Sequence, residues 1–79
     1  MNQQREIEQQ VLEIYKLQLN REEISLDETF ELSSIESLNI LAQIERVFFV
    51  EVEDDLVFNG IFSNIPELSK YIVEQINEE

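Results

Sequence analysis

Cysteine and histidine are both absent from the 79 residues. Disulfide and zinc staples, on which small domains often rely, are therefore excluded, and so are a thiol nucleophile and an imidazole base. Glycine and proline occur once each, as Gly60 and Pro66, and a lone glycine builds no phosphate-cradling loop. Cations are scarce: 5 Lys plus Arg stand against 18 Asp plus Glu, a net charge of −13. A field of that sign repels phosphate backbones and anionic lipid, so neither nucleic acid nor a membrane surface is expected as a target. It favours steered encounter with basic patches on other proteins, solubility alone being the plainer reading of the same charge. Long apolar runs are missing too. The longest, Val47-Phe48-Phe49-Val50, is far too short to span a bilayer. The polar start, Met1 to Gln10 with Glu6 and Glu8, is the opposite of a basic, then apolar, leader. Cytoplasm is the default compartment.

Apolar residues make up 43% of the chain, enough for one helical core over a single domain, residues 1–79. Residues 2–19 read as an amphipathic helix: Ile7, Val11, Ile14 and Tyr15 share a stripe that Leu12 and Leu19 widen. From Asn20 to Ser33 the period fails. Ile24, Leu26, Phe30 and Leu32 predict a long structured loop held to the core, because no second strand of similar quality exists to pair with it. Ser33 followed by Glu36 spells a capping box. The helix it opens runs to about Phe49, with Leu38, Leu41, Ile44 and Phe48 as its stripe and Ile40 and Val47 flanking. A one- or two-turn helix is expected within Leu56 to Phe62. Asn64, Pro66 and Glu67 mark the start of the last helix, Asn64 and Glu67 as a second box. Ile65, Leu68, Ile72 and Ile76 face inward along it, and it frays into Asn77-Glu78-Glu79. The expected fold class is all-α: three main helices, one short one and a long first loop in a small bundle.

Constellations for catalysis are wanting. Nothing in the sequence shows carboxylates converging in a cleft, so no catalytic residue is expected. The run Glu51, Glu53, Asp54, Asp55 lacks the ligand alternation, turn glycine and closing glutamate of a calcium loop, and reads as solvated loop carboxylates, with no metal site. Ser34 stands out. If Ser33 spends its hydroxyl on the cap, Ser34 occupies the first helical position, where an attached phosphate would meet the positive helix end and its unsatisfied N–H groups. From helix chemistry alone the plainer alternative, that Ser34 is the cap itself or simply a small polar residue, is preferred.

The stretch Leu26 to Val52 resembles the acyl carrier protein family, with its peptidyl and D-alanyl relatives. That family has Leu-Gly-x-Asp-Ser-Leu at the start of its second helix, and this chain has Phe30-Glu31-Leu32-Ser33-Ser34-Ile35 over those places. Counted from Ser34, Ile35, Leu38, Ile40, Leu41, Ile44, Glu45 and Phe48 fall where the family has apolar residues, an acid and a phenylalanine. Phe48-Phe49-Val50-Glu51-Val52 echoes its Phe-Gly-Ile-x-Ile ending, and Tyr71-Ile72 is typical of its last helix. The resemblance covers most of the chain, with only the middle specific in register.

The resemblance implies that a phosphopantetheinyl transferase attaches a 4′-phosphopantetheine arm to Ser34. The arm's thiol would then carry acyl or aminoacyl thioesters between enzymes. It implies that Ile35, Leu38 and Ala42 form an apolar docking strip, with Glu36 and Glu45 as acidic contacts for the basic patches of acyl-transferring and acyl-modifying partners. The chain would be a monomeric, non-catalytic carrier in specialised biosynthesis of polyketide or nonribosomal-peptide type. An arm-less, carrier-like acidic adaptor is the competing reading, and an unrelated helical interaction domain a third. Two motif positions depart: Glu31 replaces Gly, and Ser33 replaces an Asp that often helps the transferase recognise its target. Asn39 and Arg46 also stand where acids are common. Ser37 is a rival acceptor, since Glu36-Ser37-Leu38 mimics Asp-Ser-Leu, but it shortens the spacing to Phe48 by almost a helical turn.

Overall fold

The computed structural model describes residues 3–78; Asn2, where the first helix was expected to begin, and Glu79 lie outside them. The described residues form four α-helices, α1 (Gln3–Leu19), α2 (Ser34–Phe48), α3 (Asp54–Phe58) and α4 (Ile65–Ile76), with a 3-10 turn over Ile61–Ser63. This is the small all-α bundle the periodicity predicts. None of these helices is long and apolar enough to cross a membrane. The Cα radius of gyration is 11.6 Å, which matches the roughly 12 Å a compact chain of this length takes up.

α1 packs on α4 and α2. Its inward stripe, Ile7, Val11, Leu12, Ile14 and Tyr15, is buried as expected, and it meets Ile40 and Ile44 of α2 and Ile65, Leu68 and Ile72 of α4 in one core. Asn20 ends α1 with φ 54°, a left-handed conformation asparagine tolerates better than most residues.

The long loop is tied down as its apolar residues suggest. Ile24 and Phe30 are buried, and Leu26 and Leu32 pack against the core at its edge. Its alternating pattern does correspond to extended chain, but the only pairing among the described residues is one isolated antiparallel bridge between Thr29 and Asn64. Phe30 N–H donates to the Ser63 carbonyl at 2.9 Å. Buried Tyr15 joins the layers: its ring lies 5.0 Å from that of Phe30, and its hydroxyl donates to the Phe62 carbonyl at 2.6 Å. Burial pushes the Tyr15 phenol well above its ordinary range, so it remains a donor. Farther out, Arg21 donates to Glu28 through both terminal guanidinium nitrogens, at 2.5 and 3.1 Å.

Three expectations need correction. The short helix covers Asp54–Phe58, not Leu56 to Phe62; Gly60, at φ 82°, breaks the chain before the 3-10 turn. The left-handed value explains a glycine there. Asp54 and Asp55 are accordingly not loop carboxylates. They occupy the first turn of α3, where the N–H groups favour negative charge. The second capping box is half made: Asn64 Oδ1 accepts from the Glu67 N–H at 2.9 Å, with no reciprocal bond from Glu67 among the described residues. α4 also buries Ser69; four residues after Ile65 and three before Ile72, it lies on the inward face that the apolar period marks.

Candidate functional site at the start of helix α2

The opening of α2 is organised by Ser33. Its hydroxyl oxygen accepts from the Glu36 N–H at 3.1 Å, and Glu36 Oε1 accepts from the Ser33 N–H at 2.9 Å. Both arms of the box are present, with Ser33 extended at φ −68°, ψ 166°. The Ser33 carbonyl takes the first helical bond, from the Ser37 N–H at 2.9 Å. The N–H groups of Ser34 and Ile35 are those the turn itself leaves open.

Ser34 is the first helical residue and is exposed. Its hydroxyl makes no hydrogen bond among the described residues. Ser37, one turn on, is half-buried. It looks into a groove of about 500 Å³ between the first turns of α2 and α3. Ser34, Leu38 and Leu41 share the α2 wall with Ser37, and Asp54, Val57 and the largely exposed Phe58 form the other. Leu32, Ser37 and Val57 also line a smaller open hollow of about 140 Å³, together with Phe30 and Phe62. The surface beside Ser34 is thus an apolar trough with a few polar groups at its edge, a shape suited to holding a slender ligand.

The motif departures have structural answers. Glu31 has no left-handed backbone, since the positive-φ residues other than glycine are Asn20 and Phe49 among those described; a side chain in place of glycine costs nothing there. Ser33 does the capping that an Asp would do.

Of the expected docking residues, Ile35 is 71% exposed, Leu38 60% exposed, and Ala42 exposed. At 100° per residue all three lie opposite the buried pair Ile40 and Ile44. Leu38 is therefore absent from the core stripe in which the period also placed it. The inward stripe is Ile40 and Ile44, with Leu41 and Phe48 at its margin. Glu36 and Glu45 are half-buried and already engaged. Glu36 holds the cap, and Glu45 Oε2 accepts from the Val52 N–H at 3.1 Å, which leaves each one carboxylate oxygen for an outside contact. Sequence reasoning missed Val57 and Phe58. Their signal was available: Leu56, Val57 and Phe58 are consecutive on a single turn, and three neighbours 100° apart cannot all face inward.

No group of metal-ligating side chains occurs among the described residues. Comparison of the chain with models of known protein families, with curated proteins and with solved structures finds no match.

Proposed function

We propose that the chain is a carrier of the acyl carrier type, loaded with 4′-phosphopantetheine on Ser34 by a phosphopantetheinyl transferase. One observation carries the reading: Ser33 and Glu36 complete the cap between them, so the adjacent Ser34 hydroxyl stands exposed in the first turn, with no hydrogen bond among the described residues. A phosphodiester at that oxygen would face the open N–H groups of Ser34 and Ile35 and the positive end of α2, worth about 0.3–1 kcal/mol to an exposed anion. The trough alongside, lined by Leu38, Leu41, Val57 and Phe58, fits the attached chain. When bound, the group supplies a terminal thiol for thioester linkage, which a protein without cysteine lacks.

The protein's own residues would do no chemistry. They would present the arm at Ser34 and offer Ile35, Leu38 and Ala42, with Glu36 and Glu45, to the basic surfaces of enzymes in specialised polyketide- or peptide-type biosynthesis. The arm-less adaptor is the second reading, favoured by Ser33 standing where a transferase meets an acid in the family.

Intact-mass spectrometry after incubation with coenzyme A and a broad-specificity transferase tests the proposal. A gain of one arm, abolished by Ser34→Ala and kept in Ser37→Ala, supports it. No gain with any transferase points to the adaptor, and loss only in Ser37→Ala moves the site to the rival serine.

A further inference from the structure

Helix α2 ends on an anomaly. Phe49 caps it in the left-handed conformation, φ 56° and ψ 43°, its N–H donating to the Glu45 carbonyl at 3.1 Å. That position favours glycine, and a bulky side chain there is strained. Burying the ring would offset the strain, yet Phe49 is 92% exposed, the most exposed of the large apolar residues. Within the isolated chain, nothing repays either cost. Strained residues of this kind persist where function selects them.

The surroundings say what kind of surface would cover the ring. Glu51 and Glu53 follow it and are exposed. The Glu51 carbonyl accepts from the Tyr71 hydroxyl at 2.8 Å, which brings α4 alongside. The Tyr71 phenol is pushed up, first by partial burial and then by Glu53, Glu78 and Glu45, so those carboxylates share one neighbourhood. Arg46, three residues before Phe49, and Lys70, next to Tyr71, are exposed cations on the same helices, outnumbered by these carboxylates. Phe49 follows the last residue of α2, Phe48, at the end of the helix opposite Ser34.

We infer that Phe49 anchors a partner protein that receives the ring in an apolar socket bordered by Lys and Arg. A second copy of this chain would set like charge against like, and an anionic membrane would repel the acidic rim. Phe49 stands roughly 20 Å along α2 from Ser34. The inference does not rest on loading of Ser34, and its test uses the unmodified full chain.

The probe is a synthetic amphipathic helical peptide of leucine and lysine, titrated into labelled protein and followed by amide chemical shifts and affinity. Shifts should centre on Phe49, Glu51 and Glu53. Phe49→Gly should weaken binding at least about tenfold, as loss of an aromatic hot spot does. Leu17→Ser, which removes another largely exposed apolar residue, should change it less than about twofold, because only an anchor carries such weight. Phe49→Gly should melt no lower than the parent protein, which separates a lost contact from a damaged fold. Equal binding by Phe49→Gly, equal binding of a leucine–glutamate peptide, or shifts centred away from Phe49 would overturn the inference. So would a lower melting temperature for Phe49→Gly, or a dimer in sedimentation that this substitution abolishes.

Discussion

Replacing Ser33 by alanine removes one hydrogen bond on which the reading of Ser34 depends. The Ser33 hydroxyl accepts from the Glu36 N–H at 3.1 Å, and Ser33 is exposed, so water replaces the lost acceptor in part. The other arm of the box uses the Ser33 backbone and survives the change. A loss of about 1 kcal/mol is therefore expected, the middle of the range for cap serines. For 79 residues the unfolding entropy is about 0.17 kcal/mol/K. Ser33→Ala should consequently melt about 6 °C lower by calorimetry near neutral pH. Ser34→Ala removes a hydroxyl with no partner and should stay within about 0.5 kcal/mol, or 3 °C. Ser33→Asp keeps the acceptor, adds a charge suited to a helix start, and should melt at or above the parent protein. If Ser34→Ala proves the more damaging alanine variant, Ser34 is the cap, its hydroxyl is not free, and the case for attachment there collapses.

Three further outcomes follow from the core and the loop. Tyr15→Phe leaves the buried Phe62 carbonyl without its donor, and should cost about 1–3 kcal/mol, measured as a lower midpoint in urea at unchanged slope. Ser69 is 0% exposed and its hydroxyl has no hydrogen-bond partner among the described residues, so Ser69→Ala should be neutral or stabilise by up to about 1 kcal/mol in the same assay; a clear loss would mean the hydroxyl is satisfied. Hydrogen bonding to Arg21 holds the Glu28 carboxyl below its ordinary value. A group depressed in the folded state contributes stability above its unfolded pKa and loses it as pH falls through the folded one. Glu28→Gln should therefore flatten the acid limb of a stability-versus-pH profile, and the difference should shrink in high salt.

The readable parts of the fold were those decided within a few residues. The Ser33–Glu36 box and the Asn64 cap are bonds spanning three positions, and the stripe of α1 lies on the face its period indicates. Ser34 was legible for the same reason, since its place depends only on which serine caps. The groove was not. It needs Val57 and Phe58 brought against Leu38 and Leu41, and no spacing along the chain encodes that approach. Leu38 shows the limit most clearly. Apolar residues surround α2, but its neighbours cover only the arc centred on Ile40 and Ile44, so Leu38 and Ile35 remain in solvent.

By itself, the amino-acid order determined an acidic, mostly helical chain without thiol or imidazole side chains, and the capped starts of α2 and α4. Composition and short-range hydrogen bonds suffice for those properties. Tertiary structure alone decided which apolar residues stay outside, and that Phe49 stands in water in a backbone conformation suited to glycine. Exposure is a property of what packs nearby, and those neighbours are distant in sequence.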